Sequence, residues 1–311
     1  MKKIENVLMC GLGAVGMTFA CKIFNKRPET LKVLVDNERF ERYSSTPREM
    51  NGEKYFFDYI LPSEKDYKAD LVIIATKIDG LDSVVENLKN FVGEDTVILP
   101  ILNGVTAEKR VAQTFGAEKL LYGYFIGHSA MRVNNQIVQD GVGKIVFGSD
   151  KENDEYNVQR VREYFASVNI DYDTPENIVY SKWVKFALNL VCNQPSCILK
   201  MTFGDIQNNK NYIQFAKNIM QEVKEIAVCE GVKGIDSLEK DVIDAIYTMV
   251  ANGKTSMLQD VESKKKTELD IFAGTIIELG KKYSIPTPYN QVLFEMIKII
   301  EENYTVQEMK G

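Results

Sequence analysis

Apolar and polar residues in the first half of the chain alternate in the order expected of strands and helices. The apolar run 4–9 precedes a glycine-rich turn, and the amphipathic run 17–22 follows it. Apolar runs at residues 31–35, 69–77 and 96–102 predict further strands. The run 69–77 is typical of a central parallel strand covered on both faces. This order predicts an open parallel sheet flanked by helices.

Other patterns extend this first domain. Asn51-Gly52, next to aromatic residues, predicts a small hairpin or loop. Residues 120–132 and 137–148 predict further strands joined by a turn, and residues 158–167 predict a helix.

The second half of the chain has helical periodicity. Thr174 and Pro175 predict its first helix start, with threonine as the cap and proline at the first helical position. We therefore expect an α/β fold with two domains: a Rossmann-type dinucleotide-binding domain at residues 1–174, then an all-α domain at residues 175–311. Breaks in the helical pattern are expected at Pro195, Gly204, Gly231, Gly234, Gly253, Pro286 and Pro288.

The glycine-rich turn has the spacing G-x-G-x-x-G between a predicted strand and a predicted helix. The first glycine allows a tight turn, the second lets a pyrophosphate approach the backbone, and the third allows close helix packing. The alternative is an ordinary glycine turn. The predicted cofactor-binding turn consists of Gly11, Leu12, Gly13, Ala14, Val15 and Gly16.

Three polar residues follow predicted strands, where open α/β sheets bind ligands. Asp36 lies 20 residues after Gly16 and would accept hydrogen bonds from the adenosine ribose, which favours NAD(H). Arg39 and Arg42 could instead bind a 2′-phosphate, so this point stays open. Lys77 and Asn103 end their strands and could face a ligand, or be a solvated lysine and a turn residue.

Composition and charge exclude several classes. The chain has 311 residues, of which 45% are hydrophobic, and a net charge of −6, which argues against a nucleic-acid partner. No apolar run approaches the ~20 residues of a membrane span, and no signal-peptide core is present, so we expect a cytoplasmic protein. With His128 as the only histidine, no metal site is expected and His128 is expected to be structural. Proton chemistry then falls to Lys, Asp, Glu or Tyr.

One predicted helix of the second domain carries polar residues in an apolar segment. Lys185, Asn189 and Asn193 are four residues apart and share one stripe of that helix. A small polar ligand would satisfy them, and a desolvated lysine would be a better proton donor near neutral pH. The alternative is a helix face docked on the first domain. Ser256 and Glu268 are separated by about 18 Å of uninterrupted helix, so a shared ligand requires a break.

Together these motifs resemble the ketopantoate reductase (2-dehydropantoate 2-reductase) family over nearly the whole chain. The motifs are the glycine turn, Lys77 in Ala-Thr-Lys and Asn103 in Leu-Asn-Gly-Val. The second half adds Lys-x3-Asn-x3-Asn from residue 185, Thr-Ser-Met-Leu-Gln-Asp at 255–260 and Thr-Glu-Leu-Asp at 267–270.

The resemblance implies a two-domain reductase with an interdomain active site, which transfers hydride from NADP(H) to a 2-oxo acid in pantothenate and coenzyme A biosynthesis. Lys185 would be the general acid, and Glu268 would orient substrate or Lys185. The implied substrate ligands are Asn103, Asn189, Asn193 and Ser256. The implied cofactor contacts beyond the glycine turn are Asp36, Lys77, Asn103, Ala130 and Glu268.

Two departures keep alternatives open. Phe203 stands where the family often has an asparagine, so another branched or aromatic 2-oxo acid is a second candidate substrate. Asp36 would suit NAD(H). A third hypothesis is a non-catalytic protein that senses a dinucleotide. The helical domain could also present a homodimer face.

Overall fold

The computed structural model describes residues 1–127, 130–133, 136–139, 143–151 and 155–308. The chain forms two compact units, Met1–Ile178 and Val179–Gly311. The strands are β1 (Val7–Cys10), β2 (Leu31–Leu34), β3 (Arg48–Met50), β4 (Glu53–Tyr55), β5 (Asp58–Ile60), β6 (Ala69–Ile74), β7 (Val92–Pro100), β8 (Tyr122–Ile126), β9 (Ala130–Val133), β10 (Gln136–Gln139), β11 (Lys144–Gly148) and β12 (Tyr172–Asp173).

Helices flank these strands and make up most of the second unit. Those of the first unit are α1 (Ala14–Lys26), α2 (Asn37–Ser45), α3 (Leu81–Asn87), α4 (Ala107–Phe115) and α5 (Glu155–Ser167). The others are α6 (Ile178–Leu199), α7 (Phe203–Gln207), α8 (Lys210–Cys229), α9 (Leu238–Thr248), α10 (Ser256–Glu262), α11 (Thr275–Tyr283) and α12 (Pro288–Glu308). No helix in the described residues is long and apolar enough to cross a membrane.

The central sheet of the first unit is parallel, with the strand order β5-β2-β1-β6-β7. Alternate residues of its strands enter two separate cores. Val7 and Met9 of β1 pack with α1, whereas Leu8 and Cys10 pack with α3 and α4. Since both faces are covered, the strands are continuously apolar, as predicted for the run 69–77. The predicted Rossmann-type fold is confirmed.

The Asn51-Gly52 hairpin is also confirmed. β3 and β4 pair antiparallel around it. Asn51 and Gly52 have φ values of 51° and 82°, the combination that a two-residue type I′ turn needs. The strands predicted after residue 120 divide between two further sheets, with orders β4-β3-β10-β9 and β12-β11-β8.

The predicted helix start at Thr174-Pro175 is wrong. α6 begins at Ile178, and the hydroxyl oxygen of Thr174 instead accepts a hydrogen bond from Nε of Arg162 in α5, at 3.1 Å. The division between the units falls four residues after the predicted domain boundary.

The break predicted at Pro195 is also wrong, because α6 continues through it. Proline has no N–H, so the carbonyl of Val191, four residues earlier, has no helical donor at that position. The hydroxyl of Tyr212, on α8, donates to this carbonyl at 2.7 Å and replaces the missing bond. Gly204 likewise lies inside a helix, α7, rather than between helices.

A buried polar chain ties α6 to α8 and α12. Nε2 of Gln194 donates to Oδ1 of Asn290 at 3.2 Å, and Nδ2 of Asn290 donates to Oε2 of Glu222 at 2.7 Å. The Glu222 carboxylate also accepts from the backbone N–H of Tyr289, at the start of α12. Burial raises the pKa of Glu222, although hydrogen bonds from the side chain of Asn290 and from the backbone N–H groups of Asn290 and Tyr289 oppose this rise. These contacts fix the rotation of α6, which carries the candidate acid.

The contact between Tyr212 and Val191 is testable by a double-mutant cycle. Tyr212→Phe should lower the free energy of unfolding by about 1–3 kcal/mol, since a buried carbonyl loses its donor. In a Pro195→Ala background, the restored backbone N–H can donate to the Val191 carbonyl. Tyr212→Phe should then lower the free energy of unfolding much less. Equal losses in both backgrounds, measured by urea denaturation, would show that Tyr212 does not compensate for the proline.

Candidate active site

Three glycines shape the turn between β1 and α1. Gly11 has a φ of +102°, and a Cβ atom there would lie 2.8 Å from the carbonyl oxygen of Ala75. A Cβ at Gly16 would lie 1.9 Å from the carbonyl oxygen of Gly11. A Cβ at Gly13 would meet nothing within 4 Å. The turn is therefore packed against the protein at two glycines and open at the middle one.

The start of α1 can accept an anion. Gly13 is its N-cap, no described side chain caps its first N–H groups, and its first turn has no acidic residue. These unsatisfied N–H groups and the helix dipole attract negative charge. Leu12, Ala14 and Val15 pack against the adjacent core and hold the turn in place. The geometry fits the pyrophosphate of a dinucleotide.

Two predicted residues lie at the carboxyl ends of β6 and β7. The backbone N–H of Ala75 donates to the carbonyl oxygen of Cys10 at 2.8 Å. This bond places the segment that leads to Lys77 beside the glycine turn. Lys77 is exposed. Asn103 is half-buried and precedes Gly104, whose φ is 85°. The structure therefore places the glycine turn, Lys77 and Asn103 at one edge of the sheet.

Thr76, next to Lys77, was not singled out by sequence reasoning. Its Oγ1 is buried and has no hydrogen-bond partner among the described residues. Its Cγ2 lies 2.9 Å from the position of a Cβ on Gly11, so the side chain borders the glycine turn. An unpaired buried hydroxyl at this edge is consistent with a polar ligand.

Asp36 lies after β2 and caps α2. Its carboxylate accepts a hydrogen bond from the backbone N–H of Arg39 at 2.7 Å and forms an ion pair with the Arg39 guanidinium. Asp36 therefore brings a positive charge to the position predicted for the adenosine ribose. Arg42, one turn further, lies over the ring of Tyr43 at 5.0 Å.

Ala130 is the first residue of β9, and its side chain lies outside the described residues. His128, expected to be structural, lies outside them as well.

Lys185 lies on α6 and is partly buried. Its Nζ has no hydrogen-bond or ion-pair partner among the described residues, so no ion pair with Glu268 forms. Burial lowers the pKa of Lys185, while the nearby Cys192 opposes this shift. Cys192 is itself buried, which raises the pKa of its thiol to about 12, so it stays protonated near neutral pH. Lys185 therefore holds its proton less tightly than an ordinary lysine does.

Hydrogen bonds join Asn189, Asn193 and Ser256. Nδ2 of Asn193 donates to Oδ1 of Asn189 at 3.2 Å, and Oγ of Ser256 donates to Oδ1 of Asn193 at 3.2 Å. Asn189 and Asn193 are 6% and 5% exposed, so these amides are buried groups that need partners.

Sequence reasoning missed the groups that fasten α10 to α6. The backbone N–H of Met257 donates to Oδ1 of Asn193 at 3.3 Å. The hydroxyls of Thr255 and Ser196 lie 2.8 Å apart, and Thr255 also caps α10 by accepting from Leu258. Thr-Ser before an apolar pair is a recognisable helix start, but the contact with α6 is not readable from spacing.

Glu268 is half-buried and lies beyond a break in the helical path. α10 ends at Glu262, and Lys264 adopts a φ of 51°. A π-helical turn follows at Asp270–Gly274, and the Phe272 ring in it packs 6.5 Å from that of Phe186 on α6. The segment containing Glu268 is thereby held near the helix of Lys185, and its catalytic role stays a prediction.

Phe203 is the first residue of α7. Its backbone N–H donates to the carbonyl of Gly253 at 3.0 Å, and its ring lies 3.1 Å from the position of a Cβ on Gly253. The ring therefore packs against a residue that lies three positions before Ser256 in the chain.

Family models agree with this arrangement. The model described as ketopantoate reductase PanE/ApbA matches residues 7–152, and its C-terminal counterpart matches residues 177–301.

Individual proteins are similar to three quarters of the chain or more. A 2-dehydropantoate 2-reductase from Streptococcus pyogenes serotype M6 is 25% identical, with 97% of this chain and 99% of that protein covered. One from Pyrococcus horikoshii is 27% identical over 75% of this chain and 76% of that protein. Among solved structures, D-mandelate dehydrogenase with NADH and anilino(oxo)acetate has a TM-score of 0.84 at 20% identity, covering 96% and 99% of the two chains. That likeness shows the shared fold.

The glycine geometry predicts opposite effects for two substitutions by alanine. Gly16→Ala should destabilise the protein by about 1–3 kcal/mol, because the new methyl group overlaps the Gly11 carbonyl. Gly13→Ala should leave the Tm nearly unchanged, because its Cβ enters open space. Thermal unfolding of both variants checks this, and a loss of Tm in Gly13→Ala equal to that in Gly16→Ala would contradict the account.

Proposed function

The chain belongs to the ketopantoate reductase family, and we propose that it reduces 2-dehydropantoate to pantoate with NADPH, in pantothenate and coenzyme A biosynthesis. The observation that carries the proposal is Lys185, a desolvated lysine without a carboxylate partner beside a buried pair of amides. A cation held in this way needs an anionic or strongly polar ligand. A 2-oxo acid provides one.

The first unit would hold the cofactor. The α1 N-terminus and the open face of Gly13 suit its pyrophosphate, with Lys77, Asn103, Ala130 and Glu268 as further proposed contacts. When bound, the nicotinamide supplies hydride to the C2 carbonyl carbon.

Lys185 would act on the oxygen of the same carbonyl. As hydride arrives at carbon, negative charge develops on oxygen, and a nearby ammonium both stabilises it and donates the proton. Because burial lowers the pKa of Lys185, transfer of that proton costs less than from an ordinary lysine. Glu268 would orient the substrate or the lysine, while Asn103, Asn189, Asn193 and Ser256 form the proposed substrate site.

We propose NADP(H) as the preferred cofactor. Asp36 alone would favour NAD(H), but its carboxylate is already bound by the N–H and guanidinium of Arg39. The Arg39 guanidinium is therefore the charge available to a 2′-phosphate.

A second candidate substrate is an aromatic 2-oxo acid. The Phe203 ring, which packs against Gly253 three residues before Ser256 in the chain, supports it, as does the fold shared with D-mandelate dehydrogenase. A non-catalytic dinucleotide sensor is the third possibility, and unpaired Lys185 argues against it.

Replacing Lys185 tests the proposed chemistry. Lys185→Met should lower kcat for 2-dehydropantoate about 10²–10⁴-fold, with a Tm equal to or above that of the parent protein, because a buried charge is removed. In the parent, kcat should fall as pH rises through the lowered pKa of Lys185, because the acid must be protonated. The matched control is Lys210→Met, which changes an exposed lysine at the start of α8.

NADPH absorbance measures these rates over a panel of 2-oxo acids. If another acid is reduced and 2-dehydropantoate is not, the proposed substrate is wrong. If parent and Lys185→Met are equally inactive on every acid yet bind NADPH, the protein is a sensor.

Cofactor preference is tested at Arg39 and Asp36. Arg39→Ala should lower the ratio of kcat/KM for NADPH over NADH about tenfold, through loss of a charge-assisted bond to phosphate. Asp36→Ser keeps a capping oxygen and removes the negative charge, so it should raise the ratio. Arg110→Ala, a surface arginine paired with Asp82, is the control. An unchanged ratio in both variants would place the ribose elsewhere.

A further inference from the structure

One backbone N–H decides which atoms of two buried asparagines face a ligand. The N–H of Met257 can only donate, so the side-chain atom of Asn193 that it meets at 3.3 Å must be the oxygen. The NH₂ group of Asn193 then points to Asn189, at 3.2 Å. The atom of Asn189 that receives this bond must in turn be its oxygen. The orientation of both amides is thus determined by donor chemistry, independently of how alike nitrogen and oxygen are in shape.

Asn189 is left with its NH₂ group as the only free end. Its oxygen is occupied by Asn193, and its Nδ2 has no acceptor among the described residues. The side chain is 6% exposed, and these N–H groups are hydrogen-bonding capacity that no described residue uses. A ligand that meets this NH₂ group must therefore offer an acceptor oxygen.

Ser256, in contrast to Asn189, presents a hydrogen-bond acceptor. Its Oγ lies 3.2 Å from Oδ1 of Asn193, which is an acceptor, so the single hydroxyl proton of Ser256 is committed to that bond. The lone pairs of the serine oxygen remain available. While that bond is kept, a ligand at Ser256 has to donate a hydrogen bond, which a carboxylate cannot do.

We propose that Asn193 is a positioning residue, held by the Met257 N–H, that makes Asn189 a donor and Ser256 an acceptor toward the substrate. This inference rests on the proposed function and refines it: Ser256 meets a hydroxyl group of the 2-oxo acid rather than its carboxylate. The oxygen of Asn193 already accepts from Met257 and Ser256, so the part of Asn193 in the proposed substrate site is to orient its two neighbours. The site thereby selects a 2-oxo acid that carries an additional hydroxyl.

The test compares two acids that differ only in that hydroxyl: 2-dehydropantoate and 3,3-dimethyl-2-oxobutanoate. The parent protein should prefer the hydroxylated acid in kcat/KM by roughly tenfold, the effect of one hydrogen bond. Ser256→Ala should bring this ratio close to one. A ratio that Ser256→Ala leaves unchanged would overturn the inference, since a serine that binds the carboxylate serves both acids equally.

Asn193→Asp tests the positioning role. A carboxylate keeps the bonds from Met257 and Ser256 but cannot donate to Asn189, whose amide would then turn its NH₂ group inward. We expect KM for both acids to rise roughly tenfold with an unchanged Kd for NADPH. In an Asn189→Ala background the same substitution should add nothing. A further rise in KM there would mean that Asn193 contacts substrate directly.

Binding is measured alongside turnover, so that the two proposals fail separately. Trp183 on α6 is the only tryptophan of the chain, and its fluorescence can report titration with each acid. If the parent binds but does not reduce 2-dehydropantoate, the proposed function fails. The ratio of the Kd values for the two acids then still tests whether Asn189 acts as a donor and Ser256 as an acceptor. Equal Kd values in the parent, or binding of neither acid, would overturn the inference. Should Asn193→Asp not fold, Ser256→Ala alone decides, because its side chain is exposed.

Discussion

The hydrogen bond from the Met257 N–H to Asn193 links the second unit's fold to its chemistry. A lysine and two asparagines lie in an apolar helix, an arrangement that is stable only if the amides are paired. The start of α10 provides that pairing, since its otherwise unsatisfied N–H groups need acceptors. One contact therefore caps a helix, fastens α10 to α6 and orients the amides, while Lys185 on the same helix keeps its charge unpaired.

The glycine turn of the first unit follows a comparable logic on the backbone. Gly11 and Gly16 have no space for a side chain, because strand, turn and helix meet there at contact distance. At Gly13, by contrast, a side chain would meet no neighbouring atom within 4 Å. The tight packing on either side presents the first turn of α1 and fixes where a phosphate can approach.

Sequence patterns predicted the features that depend on interactions between residues close together in the chain. The buried strands, the Asn51-Gly52 hairpin and the polar stripe on α6 each follow from residues close together in sequence. The path of the chain through Pro195 could not be predicted, because the compensating hydroxyl of Tyr212 comes from another helix. The polarity of Asn189 and Ser256 was hidden for the same reason: it depends on a backbone donor 64 residues from Asn193. Asp36 shows a third limit: its charge is evident from the sequence, but its ion pair with Arg39 depends on how the first turn of α2 places the two side chains.

The central claim is that Lys185 is a desolvated acid whose proton is easier to remove than that of other lysines. NMR titration of ¹³C-labelled lysine side chains measures this directly, with the Lys185→Met spectrum assigning the resonance. The account predicts one lysine signal, absent from that variant, which titrates below the ordinary value of 10.5 while exposed lysines do not. A Lys185 signal that titrates at or above 10.5 would contradict it.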